Sequence, residues 1–155
     1  MSVEKINTIS PITNQTVVSR NGISQSDLEL ISTSATDAFE KYRKTSLKER
    51  QEIVKKALKL LTDKQDVLAK ELTEQMGRPI AYTAKEVTTA VKRGEYLLRV
   101  SEDSLKDTDG EAEKGFKRFI RKVPVGPVLI LFAWNVSSIP CSSVHNHLTV
   151  HSIPT

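Results

Sequence analysis

The sequence has little cysteine and no long hydrophobic run, and both absences narrow the class of protein. Cys141 is the single cysteine among 155 residues, so an internal disulfide cannot form. The longest apolar stretch, Val125 to Trp134, is far shorter than the roughly 20 residues that a membrane helix needs. The first residues form no apolar secretory region. These absences predict a cytoplasmic protein without a membrane segment.

Neither sign of charge dominates the chain. It has 23 Lys and Arg residues against 19 Asp and Glu residues, for a formal net charge of +4. Only Lys114 to Lys122 is locally basic, and so short a run is typical of a solvated face or an edge strand. No motif that reads a nucleic-acid groove is visible. We therefore predict no nucleic-acid partner and no membrane partner.

Turn residues and hydrophobic periodicity predict a hairpin followed by helices. Ser10 to Gln15 has turn chemistry and separates two short extended runs, Lys5 to Ile9 and Thr16 to Ser19. Apolar residues at helical spacing predict three helical segments, which are Ser24 to Tyr42, Ser46 to Gly77 and Ile80 to Val100. The middle segment is either one long helix or two in sequence, because Asp63-Lys64-Gln65 interrupts its apolar stripe.

Caps and apolar stripes refine these helices. Ser24 and Ser46 fit N-cap positions, and Gly77 fits a helix stop. Each helix carries an apolar stripe that predicts a core face. In the first helix that stripe comprises Leu28, Ile31, Ala35, Ala38, Phe39 and Tyr42.

The pattern changes after the helices. The acidic stretch Ser101 to Gly110 predicts a loop, and Gly115 to Val123 predicts a strand with a charged edge. The apolar run Val128 to Phe132 predicts a strand buried on both faces, as in the parallel sheets of α/β proteins. The fold class is therefore α/β, with a hairpin and helices followed by the beginning of a parallel sheet.

The stretch Pro124 to Asn135 resembles a signature of the aldehyde dehydrogenase family. The signature has a Pro-x-Gly-x-Val lead-in, a buried strand and a Trp-Asn end. Glu71 to Glu86, with its Gly-x-Pro break, is similar to a second stretch of the family, and the order of elements also agrees. The resemblance implies an incomplete aldehyde dehydrogenase-like fold over residues 1–135, in which the parallel sheet is the beginning of a nucleotide-binding sheet. A non-family, disordered tail over residues 136–155 is expected to follow.

The resemblance also implies site residues. The family oxidises aldehydes to carboxylic acids with NAD or NADP. Asn135 matches the asparagine whose amide helps to hold the substrate oxyanion, an interaction typically worth about 3 kcal/mol. In the family the end of this strand meets the cofactor, and the matching residues of this chain are Leu131, Phe132, Ala133 and Trp134. The family most often has proline at the position of Ala133.

The sequence departs from the family after Asn135. Val136-Ser137-Ser138 follows where the family has an aromatic-Pro pair, as a shifted reading frame would produce. The catalytic cysteine motif, the glutamate base and two cofactor motifs of the family do not occur in the 155 residues. Without the thiolate no covalent adduct forms. We therefore expect a truncated chain that is catalytically inactive and binds no NAD or NADP by itself.

Three other interpretations of the sequence remain. Cys141 and His145 would form a nucleophile and base, and His145, His147 and His151 have the spacing of a zinc site, but both sets lie beyond the family resemblance. We therefore predict an incidental cysteine and no metal. The basic strand Lys117 to Lys122 offers a third role, which is pairing with a full-length aldehyde dehydrogenase relative through an exposed edge.

Overall fold

A β-hairpin begins the computed structural model, which describes residues 4–130. Strand β1 (Lys5–Ile9) pairs antiparallel with β2 (Thr16–Asn21), and Lys5 lies opposite Asn21. The Ser10 amide closes the turn by donating to the Gln15 carbonyl at 2.8 Å. Asn14 takes a left-handed conformation in that turn, with φ of 56°. The predicted hairpin is confirmed, with β2 two residues longer than the sequence indicates.

Four helices follow the hairpin. Their bounds are α1 (Gln25–Tyr42), α2 (Leu47–Asp63), α3 (Gln65–Met76) and α4 (Ile80–Leu105). The middle segment is therefore two helices, which meet at Lys64 with a φ of −103° and a ψ of 14°. Gly77 ends α3 in the left-handed conformation, as predicted.

Helix α4 extends further than the sequence predicts, so the loop expected over residues 101–110 is wrong in its first half. Ser101 is fully buried, and its hydroxyl donates to the Leu98 carbonyl at 2.7 Å. Gln51 of α2 donates to that hydroxyl at 2.8 Å, and Leu105 packs on the core. These tertiary contacts continue the helix through an acidic stretch that has no apolar period of its own.

The core lies between α4 and the two helices before it. Val54 and Leu58 of α2 are buried and form a cluster flanked by Leu47, Leu61, Leu98 and Leu105. The contact of α3 with α4 buries Ala69, Val87 and Ala90. Apolar residues of the predicted second and third helical segments therefore supply this core.

Helix α1 does not join this core, and the expectation that its apolar stripe is buried is wrong for most of its length. Leu28 is 50% exposed and Ile31 is 51% exposed. Only Phe39 and Tyr42, near the end of the helix, are half-buried. No helix or strand of residues 4–130 packs along the rest of this face. An amphipathic pattern specifies which face a helix can bury, but it does not supply the surface that covers it.

The carboxyl-terminal part of the described chain contains less strand than predicted. The strand expected over residues 115–123 shortens to β4 (Phe119–Ile120), which pairs antiparallel with β3 (Thr108–Asp109). Residues 121–130 have no regular secondary structure, which corrects the predicted strand for 128–130. A strand needs a hydrogen-bonded neighbour, and residues 4–130 provide none there. Leu129 is 84% exposed, so the predicted burial on both faces is also wrong for this residue.

Candidate functional site: the basic hairpin

The basic segment of the sequence lies on a short hairpin that is fixed to the end of α4. We call residues 107–122, which include β3 and β4, the basic hairpin. Gly110 donates its amide hydrogen to the Arg118 carbonyl at 3.0 Å, next to the pairing of Asp109 with Phe119. A Cβ atom at Gly110 would lie 3.1 Å from Cβ of Arg118, so the two strands approach closely at this glycine.

Two cations hold the basic hairpin in place, Arg121 through a contact within the hairpin and Lys122 through a contact with α4. The Arg121 guanidinium donates to both carboxylate oxygens of Asp107, with the shortest distance 2.7 Å. The hydrogen bonds from Arg121 hold the pKa of Asp107 below its usual value, and Asp107 raises the pKa of Arg121. Nζ of Lys122 donates to the Ser104 carbonyl at 2.5 Å, in the last turn of α4. A cation at a helix carboxyl end also interacts favourably with the helix dipole.

The exposed surface of the basic hairpin combines apolar and basic side chains. Phe116 is 69% exposed and Ile120 is 68% exposed. The Arg121 guanidinium lies 4.7 Å from the centre of the Phe119 ring, within the range of a cation–π contact. Arg118 forms an ion pair with Glu113 across the turn. The hairpin therefore presents exposed hydrophobic side chains with cations already placed around them.

A second group of contacts lies where α3 meets α4, within the stretch Glu71 to Glu86 that is similar to the family. Glu86 is only 7% exposed and forms an ion pair with Arg78. Gly77 lies against the turn of the first hairpin, since a Cβ atom added there would be 2.8 Å from Cγ of Pro11. The missing side chain of Gly77 thus lets the first hairpin lie against the end of α3. The position of Gly77 in the sequence does not reveal this role, because the contact with Pro11 crosses more than 60 residues.

The catalytic and cofactor residues predicted from the resemblance lie outside the described residues. These are Leu131, Phe132, Ala133, Trp134 and Asn135, together with the alternatives Cys141, His145, His147 and His151. Within residues 4–130, no three His, Cys, Asp or Glu side chains are grouped so that they could hold a metal ion. In the same range no helix is long and apolar enough to cross a membrane.

Comparison with known proteins identifies the family. The sequence model of the aldehyde dehydrogenase family matches residues 1–148. The chain therefore belongs to the aldehyde dehydrogenase family, as the motifs predict. This match extends past Asn135, and the domain boundary at residue 135 stays a prediction.

Individual relatives agree with this assignment. The chain is 28% identical over 127 residues to 3-succinoylsemialdehyde-pyridine dehydrogenase of Pseudomonas sp., covering 82% of this chain and 26% of that protein. It is 28% identical over 133 residues to the NADP(+) succinate-semialdehyde dehydrogenase of Mycobacterium avium, covering 84% and 28%.

Solved structures show the same fold. The crystal structure of PnpE from Pseudomonas sp. WBC-3 superposes with a TM-score of 0.87 at 18% identity, covering 96% of this chain and 31% of that one. PnpE in complex with nicotinamide adenine dinucleotide superposes with a TM-score of 0.83 at 16% identity, with the same coverage. The fold is a partial, mixed α/β aldehyde dehydrogenase fold, and the chain spans between a quarter and a third of the length of these relatives.

Proposed function

We propose that the chain acts as the amino-terminal part of an NAD(P)-dependent aldehyde dehydrogenase, and that these 155 residues do not oxidise aldehydes by themselves. The observation that carries the proposal is the large apolar surface that the described residues leave open. Leu28 and Ile31 on α1, and Val125 and Leu129 after the basic hairpin, are all about half exposed or more. Exposed apolar surface is typical of a face that further polypeptide covers.

The chemistry explains why more residues are needed. Oxidation of an aldehyde in this family requires a thiolate that adds to the carbonyl carbon before hydride can leave. Cys141 is the only thiol of the chain, and it does not lie in the family's glutamine-rich motif. Asn135 would place its amide at the oxyanion, where it has no adduct to stabilise in this chain alone. NAD or NADP is the cofactor proposed for the assembled enzyme, since the Mycobacterium avium relative is named for NADP(+).

Spectroscopy tests this proposal. The purified 155-residue chain is incubated with NAD or NADP and a panel of aldehydes that includes succinate semialdehyde, and the reduced nicotinamide is followed by its ultraviolet absorbance. A full-length family member serves as the positive control. We expect no turnover. Turnover that disappears in Cys141→Ser would show that the chain has its own nucleophile and would overturn the proposal.

A second function, favoured by the exposed face of the basic hairpin, is non-catalytic binding to a full-length relative. The support is the combination of exposed Phe116 and Ile120 with a fixed backbone. Arg121 joins the two ends of the hairpin through Asp107, and Lys122 ties the hairpin to α4. Ordered, exposed apolar side chains bind at a lower entropic cost than disordered ones. Such binding would make this chain a non-catalytic partner of an aldehyde dehydrogenase.

Co-purification distinguishes the second function from the first. A full-length relative is expressed with the tagged chain or with its Phe116→Ser, Ile120→Ser variant. The control is Leu60→Ser, because Leu60 is 58% exposed but lies on α2. Capture that is lost only in the hairpin variant supports binding through the basic hairpin. Equal capture by all three chains refutes it.

A further inference from the structure

One face of α4 carries cations and tyrosines at helical spacing. Tyr82, Lys85, Lys92, Arg93, Tyr96 and Arg99 are all exposed, and we call these six residues the basic α4 face. At 3.6 residues per turn they occupy an arc of about 120° and extend about 26 Å along the helix axis. The acidic residue within this span that is exposed, Glu95, lies outside the arc. The face therefore has four positive charges and no negative one.

Unlike Lys55 and Lys59 of α2, the cations of this face have no acidic partner among the described residues. On α2, Lys55 pairs with Glu52 and Lys59 pairs with Asp63, each at 2.7 Å. In residues 4–130, none of the four cations of the basic α4 face forms an ion pair. Exposed like charges at helical spacing repel one another. A ligand that brings negative charge would remove that repulsion.

The tyrosines of the face are also available. Tyr82 is 63% exposed and Tyr96 is 53% exposed, and about 21 Å of helix separates them. The Arg99 guanidinium lies 5.4 Å from the centre of the Tyr96 ring, so a cation and an aromatic surface are presented together. Proteins that bind single-stranded nucleic acid without reading its sequence combine two features. A positively charged surface follows the sugar-phosphate backbone, and aromatic rings stack on the bases.

We propose that the basic α4 face binds single-stranded nucleic acid, with the four cations contacting phosphates and the two tyrosines stacking on bases. The inference is independent of the aldehyde dehydrogenase proposal. It departs from the expectation of no nucleic-acid partner, which rested on the lack of a groove-reading motif. Binding through phosphates and stacking needs no such motif. The four charges of the face are spread over 15 residues of the sequence, and they share one side only when those residues form a helix.

The experiment measures fluorescence anisotropy of labelled single-stranded polyuridine and polythymidine with the full 155-residue chain. With four phosphate contacts, the slope of log affinity against log salt should be about −3, which weakens binding about 50-fold between 50 and 200 mM salt. A variant that lacks all four cations should lose most of this salt dependence. Its substitutions are Lys85→Gln, Lys92→Gln, Arg93→Gln and Arg99→Gln. Tyr82→Ala or Tyr96→Ala should each weaken binding by about fivefold or more.

A matched variant separates the face from net charge. The matched variant removes an equal number of positive charges, four, from exposed positions of α2. Its substitutions are Lys48→Gln, Lys55→Gln, Lys56→Gln and Lys59→Gln. Circular dichroism confirms that both variants keep their helices. Retained binding in the α2 variant and lost binding in the α4 variant supports the proposal.

Three outcomes overturn it. They are no binding by the unaltered chain, equal losses in the two charge variants, and competition by polyglutamate as strong as that by polyuridine, which would instead indicate an acidic protein partner.

Discussion

Helices α1 and α2 have similar sequence features and different environments. Both begin with a serine N-cap in a capping box, and both carry an amphipathic pattern. Helix α2 buries Val54 and Leu58 against α4, whereas α1 has no buried residue and leaves Leu28 half exposed. The difference shows that a helix can be specified locally without being stabilised globally. Tertiary burial supplies most helix stability in proteins.

The largest expected effect tests that contrast directly. Leu58→Ala should lower the free energy of unfolding by about 2–5 kcal/mol, because it removes buried methyl groups and leaves a cavity in the cluster. The same change at Leu28 should cost about 0.5 kcal/mol or less, because that side chain is 50% exposed. Urea unfolding followed by circular dichroism measures both. Equal losses would mean that α1 is packed in solution against surface outside residues 4–130.

An intermediate effect is expected at the contact between the first hairpin and the helices. Gly77→Ala forces a side chain into a left-handed conformation, at a cost of about 1–2 kcal/mol, and directs its Cβ atom onto Pro11. Gly115→Ala is the matched control, since its φ is +85° but nothing lies within 4 Å of the added atom. We expect Gly77→Ala to lose more unfolding free energy than Gly115→Ala. Indistinguishable losses would show that the hairpin does not rest on Gly77.

The smallest effect concerns the capping boxes and their dependence on pH. The Ser46 amide donates to Glu49 at 2.7 Å and, with the Ser46 hydroxyl, lowers the pKa of Glu49 below its ordinary value of 4.5. Ser24 lowers the pKa of Asp27 in the same way at the start of α1. A lowered folded-state pKa means that each carboxylate stabilises its helix fully above its unfolded pKa. That stabilisation is lost as pH falls through the folded value.

Urea titrations compare Glu49→Gln and Asp27→Asn with the unaltered chain, from neutral pH down to pH values below the folded-state pKa of each carboxylate. The difference in unfolding free energy for Glu49→Gln should shrink on acidification, because the substituted side chain does not titrate. Asp27→Asn should leave the global transition nearly unchanged at every pH and affect only the helicity of α1. A larger global effect at Asp27 than at Glu49 would reverse the comparison between the two helices.

Much of the fold could be predicted from the sequence, whereas most of the candidate surfaces could not. The hairpin, both serine caps and the stop at Gly77 depend on residues a few positions apart, and all are confirmed. The end of α4 was misplaced because Gln51, Ser101 and Leu105 hold it through contacts between helices. The family was identified from short motifs and is confirmed by the match over residues 1–148. The predicted oxyanion and cofactor residues stay predictions, since they lie beyond residue 130.

The sequence by itself determined the local structure and the family of this protein, because capping, turns and hydrophobic periodicity act over a few residues. Only the tertiary structure decided which apolar stripes are buried, how Arg121 closes the basic hairpin on Asp107, and how Lys122 fixes that hairpin to α4. The physical reason is that burial and charge pairing depend on distances between segments far apart in the chain, which a linear pattern constrains only weakly.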